Sequence, residues 1–251
     1  MPFTQPELIA ELQRLVQTAE AKNIRLRAIG GLAVRAHQKE EHPAFQRDYP
    51  DLDLVVARKQ RRAFESFMPQ AGYTPNKQFN LLNGAQRQIY FENRAQTKAD
   101  IFIGDFEMCH KIPLEERLAA HPLTVPLAEL FLSKAQIVEI NRKDLLDLIS
   151  LLLFNETAEN DDSKINLTQI AQLCSADWGL YKTASINLDR AAALTSQADS
   201  PFEPRHRERI LARVDSIRRA FETMPKPFAW QLRDRVGTRL RWYEEVEEVQ
   251  R

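Results

Sequence analysis

The sequence predicts an α/β or α+β unit followed by an all-helical region, with the boundary near residue 125. Helical and strand patterns alternate through the first half, in the order helix, strand, helix, strand, helix and then further strands. Pro122 and Pro126 interrupt the regular patterns. From Leu127 onward almost every segment has helical periodicity. We therefore expect two domains, 1–125 and 126–251.

Composition and charge narrow the class of protein. The 251-residue chain has 35 lysine and arginine residues against 35 aspartate and glutamate residues, so its overall charge does not favour a nucleic-acid partner. Cys109 and Cys174 are far apart and lack metal-binding spacing, which is typical of reduced thiols in the cytoplasm. The longest apolar run, 148–154, is too short to span a bilayer, and no signal peptide is evident. We expect a cytoplasmic protein with no membrane partner.

A capping box marks the start of the first helix. Thr4 and Glu7 have the required spacing, and Pro6 lies in the first turn. Apolar residues then recur at helical spacing over 8–19. We predict that this helix covers a sheet whose first strand begins at Ile24, where apolar and basic residues alternate.

The remaining elements follow from periodicity and from helix breakers. A helix is predicted over 58–71, ended by Pro69 and Gly72. Three further strands are predicted at 88–92, 99–103 and 106–109. The helices of the second domain are predicted at 127–140, 142–154, 166–174, 182–195, 204–221 and 229–249. The polar segment 155–164 is expected to be an exposed loop. The basic helix 204–221 has the pattern of a solvated face and, less often, of a surface that binds nucleic-acid phosphates.

A glycine pair and two aspartates form the first candidate site. Gly30 and Gly31 permit a tight turn that brings backbone close to a ligand. A helix after that turn would point its first N–H groups at a phosphate. Asp51 and Asp53 open a later apolar run, and residues two apart on a strand point to the same side. Two such carboxylates suit a divalent cation that carries phosphates, although a solvated strand start has the same pattern.

Asp100 adds a third carboxylate. It lies 49 residues after Asp51, at the start of an apolar strand pattern. Because it alternates with Ile101, its side chain is predicted to point to the polar side of that strand. The alternative is a strand-end residue at the edge of the domain. Asp51, Asp53 and Asp100 are therefore the candidate catalytic and metal-binding residues.

The stretch from Gly30 to Asp53 resembles the signature of the nucleotidyltransferase superfamily related to DNA polymerase beta. In that signature a glycine pair opens a helix, and Asp-x-Asp follows on the next strand. The stretch is most similar to AbiEii/AbiGii-type toxin nucleotidyltransferases, in which an arginine often precedes the first aspartate by four residues, as Arg47 does. The resemblance implies a mixed sheet, with Gly30, Gly31 and Arg47 in contact with the nucleotide. Tyr49 stands where that family usually has serine or threonine.

A second resemblance lies at the start of the helical region. AbiEii-type proteins have a lysine on the first helix after the catalytic domain, and a basic-Lys-Asp-x-x-Asp-Leu element beyond it. Lys134 matches the lysine, and Lys143, Asp144 and Asp147 match the element. The resemblance implies that Lys134 faces the triphosphate and that Lys143 and Asp144 lie near the nucleotide. An ordinary charged helix face would show the same pattern.

Together the two resemblances imply a metal-dependent nucleotidyltransferase. Such an enzyme moves a nucleoside monophosphate from a nucleoside triphosphate (NTP) to an acceptor hydroxyl, with Mg²⁺ or Mn²⁺ as cofactor. The acceptor is a tRNA, a protein or a small molecule, and a toxin-like role with an antitoxin partner is a further implication. The alternative is a catalytically degenerate nucleotidyltransferase fold that senses nucleotide or binds a partner. Tyr49 and the 20-residue separation of Gly31 from Asp51 favour that alternative.

Overall fold

The computed structural model describes residues 3–245, which form two compact units. Unit 1 comprises the segment up to His37 together with Gln46–Phe106 and Pro113–Pro126. Unit 2 comprises Gln38–Phe45, Glu107–Ile112 and the segment from Leu127 onward. Both units are discontinuous in sequence, and the division into domains 1–125 and 126–251 stays a prediction.

Unit 1 is built on a five-stranded mixed sheet. In chain order its strands are β1 Leu26–Ile29, β2 Asp51–Val56, β3 Tyr73–Pro75, β4 Arg87–Glu92 and β5 Lys98–Ile103. Their order in the sheet is β1-β2-β5-β4-β3. β2 and β5 are parallel, and the other neighbouring strands are antiparallel. The predicted α/β (α+β) fold with a mixed sheet is confirmed.

Helices cover this sheet. Those of the described part of unit 1 are α1 Gln5–Glu20, α2 Gly30–Ala36, α3 Arg61–Gln70 and α4 Lys77–Asn83. The capping box predicted for α1 is present, since the Glu7 carboxylate accepts from the Thr4 backbone N–H at 2.8 Å and from its hydroxyl at 2.7 Å. α1 packs on β1, and α3 packs on β3.

Side chains alternate between the two faces of the sheet along each strand. The face that carries Asp51 and Asp53 is called the polar face and the opposite one the apolar face, and Val55 on the polar face is also buried. Leu52, Leu54 and Val56 of β2 are fully buried on the apolar face. Burying one such aliphatic side chain is worth about 1.5–3 kcal/mol. This pattern fixes the orientation of β2 and directs Asp51 and Asp53 to the polar face.

The sequence pattern does not indicate α4, because none of its side chains is buried. Polar contacts hold it instead. The Asn76 side chain accepts a hydrogen bond from the Phe79 N–H at 3.1 Å. The Asn80 amide accepts from the Ile89 N–H on β4 at 2.7 Å and donates to the Ile89 carbonyl at 3.1 Å. Such contacts leave no hydrophobic period in the sequence.

Two other predicted elements of this region have different bounds. The helix predicted over 58–71 is a 3₁₀ turn, Arg58–Gln60, followed by α3. The Gln60 side chain accepts from the Arg25 N–H at 3.0 Å and donates to the Asn23 carbonyl at 2.5 Å, which holds that turn. The strand predicted at 106–109 is limited to β6, Phe106–Glu107.

Unit 2 is mainly helical. Its described helices are α5 Leu127–Ala135, α6 Arg142–Phe154, α7 Leu167–Ala176, α8 Trp178–Ser196, α9 Pro204–Thr223 and α10 Phe228–Val236. It also contains the short strands β7 Lys111–Ile112, β8 Thr157–Ala158 and β9 Ile165–Asn166. The helical C-terminal part is confirmed, but it is not all-helical, since β8 and β9 form a two-stranded parallel sheet. β8 lies inside the predicted loop 155–164.

α5 is shorter than the predicted helix 127–140, and all of its residues are buried. Beyond its end, the Asn187 amide donates to the carbonyls of Ala135 at 2.9 Å and Ile137 at 2.7 Å. A side chain of α8 therefore satisfies carbonyls that another helical turn would otherwise bond.

The bounds of α8 and α10 also differ from the prediction. α8 begins before residue 182 because the Asp177 carboxylate accepts from the Leu180 N–H at 3.0 Å and caps the helix. α10 ends where Gly237 adopts φ +62°, outside the helical region. Residues 246–249 of the predicted helix 229–249 lie outside the described residues. Within residues 3–245, no helix has the length and apolar character needed to cross a membrane.

Candidate functional site

The polar face of the sheet in unit 1 brings the three predicted aspartates together. Asp51 and Asp53 lie on β2, and Asp100 lies on the parallel neighbour β5. Asp53 is paired in register with Asp100, and Asp51 is paired with Lys98. Paired residues of adjacent strands point to the same face. All three carboxylates therefore lie on one face of two adjacent strands.

The glycine turn packs directly on this group. Gly30 has φ +75°, a left-handed conformation that other residues rarely adopt. A Cβ atom on Gly30 would overlap Oδ2 of Asp53, and one on Gly31 would overlap Nη2 of Arg47. Any larger residue at either position would displace one of these side chains. The sequence predicted close backbone approach to a ligand here, and the structure shows close approach to Asp53 and Arg47.

Arg47 and Tyr49 line the loop beside the turn. The Arg47 guanidinium carbon lies 4.5 Å from the centroid of the Tyr49 ring, a cation–π geometry. The Tyr49 ring is also close to Gly31, since Cε1 would be 3.2 Å from a Cβ atom there. The tyrosine at this position therefore has a packing role that serine or threonine would not supply.

Two basic side chains lie among the carboxylates. Arg87 of β4 donates to both oxygens of Asp100, from Nε to Oδ1 at 2.7 Å and from Nη2 to Oδ2 at 2.5 Å. Lys98 Nζ lies 3.3 Å from Asp100 Oδ2 and 3.4 Å from Asp51 Oδ2. The hydrogen bonds with Asp100 raise the pKa of Arg87 above its usual value, with smaller contributions from the charges of Asp53 and Asp51. The cluster has three negative charges and two positive charges.

Arg87 and Lys98 are not among the site residues that the sequence motifs predict. The signal that could have found them is the period of two along a strand. Lys98 alternates with Asp100 on β5, so the two share a face. Arg87 lies opposite Phe102 in the antiparallel pairing of β4 with β5, which places it on that face as well. The pairing itself is not visible in the sequence.

The fit of these residues to a divalent cation is partial. Within residues 3–245, no three histidine, cysteine, aspartate or glutamate side chains are arranged as a metal-binding group. Asp51 and Asp53 are only partly buried and lie two residues apart on one face. A magnesium ion in a nucleotide site commonly has one or two carboxylate ligands, with phosphates and waters completing the coordination. Asp51 and Asp53 fit that pattern, whereas both oxygens of Asp100 are bound by Arg87.

The residues of the second resemblance lie in unit 2. Lys134 of α5 is 8% exposed, and its Nζ contacts Asp144 Oδ1 at 2.7 Å and Asp147 Oδ2 at 2.9 Å. Burial lowers the pKa of Lys134, but Asp147 and Asp144 outweigh that effect and the net shift is upward. Burial likewise raises the pKa of Asp144, and Lys134 outweighs it, so the net shift is downward. Lys143 is exposed.

These contacts differ from the contact with a nucleotide that the sequence predicts for Lys134. The resemblance implies that its ammonium faces the triphosphate of a nucleotide. α5 is instead buried along its whole length, and the ammonium binds two carboxylates of α6. The roles of Lys134, Lys143 and Asp144 toward a nucleotide stay predictions.

Comparisons with known proteins give one distant likeness. No protein-family model matches the chain, and no curated protein matches it. One solved structure that is similar is an antigenic nucleotidyltransferase-like protein from Paracoccidioides brasiliensis, with 18% identity and a TM-score of 0.40. The similarity covers 73% of this chain and 94% of that chain. A likeness this distant assigns no function, so the functional proposal rests on the geometry of the carboxylate cluster.

Proposed function

We propose that this protein is a metal-dependent nucleotidyltransferase that moves a nucleoside monophosphate from an NTP to an acceptor hydroxyl. The observation that supports it is the position of Asp51, Asp53 and Asp100 on one face of adjacent parallel strands. The Gly30 turn packs against Asp53, so the turn and the carboxylates are adjacent, as the proposed nucleotide site requires.

The proposed reaction makes one bond to phosphorus and breaks another. The acceptor oxygen bonds to the α-phosphorus, the bond from that phosphorus to the bridging oxygen breaks, and pyrophosphate leaves. The acceptor proton passes to solvent. Bound Mg²⁺ or Mn²⁺ would neutralise the phosphates and lower the pKa of the acceptor hydroxyl.

Each residue of the site has a proposed role. Asp51 and Asp53 hold the cation, and Gly30, Gly31 and Arg47 contact the phosphates. Asp100 is the third carboxylate of the site. The family resemblance adds Lys134, Lys143 and Asp144 to the nucleotide contacts. For Lys134 this role requires a phosphate to replace or join its two carboxylate partners.

The experiment that tests this function is labelling. The protein is incubated with each α-³²P-labelled NTP, with Mg²⁺ or Mn²⁺ and a cell extract, and the labelled RNA, protein and small-molecule fractions are separated. We expect transfer that needs the metal and is lost in Asp53→Asn. Asp48→Asn is the matched control, since Asp48 is an exposed aspartate in the same region and should keep full transfer. Transfer that survives in Asp53→Asn would contradict the assignment.

The second proposed function is a degenerate nucleotidyltransferase fold that binds nucleotide without chemistry. The bidentate contact of Arg87 with Asp100 favours it, because the third carboxylate is already occupied by a cation. Nucleotide binding by calorimetry together with no labelled product from any extract would support this function over transfer.

The toxin-like role and the antitoxin partner are proposals at a finer level. They rest on the AbiEii/AbiGii resemblance alone. Growth arrest on expression of the wild type, but not of Asp53→Asn, is the expected result. A neighbouring gene product that restores growth and co-purifies with the chain would identify the partner.

A further inference from the structure

The two basic side chains in the carboxylate cluster occupy the place where a shared cation would lie. Lys98 Nζ is within 3.4 Å of one oxygen of Asp51 and within 3.3 Å of one oxygen of Asp100. A divalent cation that bridged these two carboxylates would meet the ammonium group directly. Because like charges repel most strongly at such short distances, both cannot occupy this position together.

Arg87 excludes a cation from Asp100 in a second way. Its guanidinium forms two parallel hydrogen bonds to the carboxylate, which is the strongest common geometry for this pair. The same guanidinium carbon lies 5.2 Å from the centroid of the Phe102 ring, so the side chain is also held by packing. The Asp100 side chain is 2% exposed, and burial of a carboxylate without hydrogen-bonded partners is costly, so Arg87 is a stable partner of Asp100.

Asp51 and Asp53 lie on the more open side of the cluster. The Asp51 side chain is 20% exposed, ten times the exposed fraction of the Asp100 side chain. The basic side chains are also reachable from solvent, with 33% of Arg87 and 30% of Lys98 exposed. Since a guanidinium has five N–H donors and Asp100 accepts two of them, Arg87 retains donors for an incoming anion.

We propose that this is a one-metal site, in which Arg87 and Lys98 take the place of a second cation. The proposal rests on the proposed function. Asp53 and the Asp51 oxygen that does not face Lys98 bind the single divalent cation that accompanies the nucleotide. Arg87 and Lys98 neutralise Asp100 and present N–H donors to the phosphate oxygens on its side of the site.

The number of bound metal ions tests this proposal without any measurement of activity. Full-length protein is dialysed to equilibrium against labelled Mn²⁺ and each labelled α,β-methylene ribonucleoside triphosphate, and bound Mn²⁺ and bound nucleotide are counted per chain. We expect one Mn²⁺ per bound nucleotide in the wild type. Lys98→Gln and Arg87→Gln should each bind a second Mn²⁺ at least about tenfold more tightly than the wild type does.

A matched control separates a local effect from a general loss of positive charge. Arg94→Gln removes an arginine just after β4 whose side chain is 77% exposed and pairs with Glu92. This variant should still bind one Mn²⁺ per bound nucleotide. If Arg87→Gln does not fold, Lys98→Gln and the wild-type ratio decide the question.

The possible outcomes distinguish the inference from the function on which it rests. Two Mn²⁺ per nucleotide in the wild type, with one lost in Asp100→Asn, would overturn the one-metal inference and leave the proposed function intact. Binding of neither Mn²⁺ nor nucleotide would overturn both. A ratio of one that is unchanged in Lys98→Gln and Arg87→Gln would also overturn the inference.

Discussion

Each unit of the protein contains a cluster of opposite charges, and the two clusters are built in opposite ways. In unit 1 the buried group is the acid Asp100, 2% exposed, and its basic partners Arg87 and Lys98 are about one third exposed. In unit 2 the base Lys134 is buried, 10% exposed at its side chain, and neither of its acidic partners exceeds 14%. A ligand can therefore reach the cations of the first cluster, whereas the second cross-links α5 and α6. The pattern of charged residues in the sequence does not distinguish a ligand site from an internal ion pair, whereas the exposed fraction of the charged side chains does.

Removal of Lys134 should break the second cluster and give the largest loss of stability. Lys134→Met leaves two largely buried carboxylates without their cation, and the expected cost is about 3–5 kcal/mol. Urea unfolding followed by circular dichroism measures it. The triple variant Lys134→Met, Asp144→Asn, Asp147→Asn removes the uncompensated charges and should recover most of the loss. A cost below about 1 kcal/mol for the single variant would mean that the cluster does not stabilise α5 and α6.

A second substitution of the same residue, Lys134→Ala, bears on nucleotide binding. The sequence resemblance predicts that Lys134→Ala weakens nucleotide binding far more than it weakens folding. The predicted loss of binding free energy is about 1.5–3 kcal/mol. Because Lys134 forms ion pairs with two carboxylates in unit 2, we expect its removal to cost more in folding stability than in nucleotide affinity. Calorimetric titration of the folded variant with a non-hydrolysable triphosphate and magnesium measures the binding part separately. Equal affinity in wild type and variant would limit Lys134 to its structural role.

Arg87→Gln should break the first cluster with a smaller loss of stability. Asp100 keeps Lys98 as a partner and loses the bidentate contact, so we expect a cost of about 2 kcal/mol in urea unfolding. Asp100→Asn in the same chain should restore most of it, because a neutral amide needs no cation. No restoration would show that Arg87 stabilises the sheet through its packing on Phe102 rather than through Asp100.

The part of the site that the sequence predicts is the part encoded by local periodicity. Alternation along β2 directs Leu52 and Leu54 to the core and Asp51 and Asp53 to the polar face. The partners of Asp100 could not be predicted, since the contact with Arg87 depends on how β4 pairs with β5. Strand pairing is a long-range property that one sequence does not reveal.

The same limit applies to the fold. α4 is held by a polar side chain of its own, and the end of α5 is set by a polar side chain of a distant helix. Asn80 binds the backbone of Ile89, and Asn187 binds carbonyls about 50 residues earlier in the chain. Hydrophobic periods report burial against a core, so they miss elements that are fixed by hydrogen bonds alone.

A pair of histidines in unit 1 provides a test in which neither charge cluster changes. His37 Nε2 lies 2.8 Å from Thr124 Oγ1, and the same hydroxyl oxygen lies 3.0 Å from His121 Nδ1. The His121 ring is 5.0 Å from the His37 ring. Burial, with a smaller contribution from His121, lowers the pKa of His37 to about 4. Burial and then the charge of Arg27 lower the pKa of His121 as well.

These histidines should make stability fall between about pH 6.5 and pH 4. The folded pKa of His37 lies below its unfolded value, so its contribution is complete above the unfolded pKa and is lost as pH falls toward the folded pKa. We expect His37 to account for about 1 kcal/mol of the loss between pH 7 and pH 5.5, so the profile of His37→Gln should be flatter by about that amount. The pKa of Asp144 is also lowered, so its contribution is lost only below about pH 4. Identical profiles in wild type and variant over this range would exclude His37 as the cause.

The smallest change in stability is expected for Asp53→Asn. The side chain is partly buried, and the substitution keeps its shape, so its close packing against Gly30 is retained. It also removes one of three clustered negative charges, which offsets part of any lost contact. We therefore expect an unfolding free energy within about 0.5 kcal/mol of the wild type, or slightly higher, together with complete loss of metal-dependent nucleotide transfer. Thermal melting and the labelling assay on the same sample separate the two effects. A large drop in melting temperature would make Asp53 a structural residue. The charge cluster of unit 1 would then stabilise the fold, as the cluster of unit 2 does, and the contrast between a ligand site and an internal ion pair would be lost.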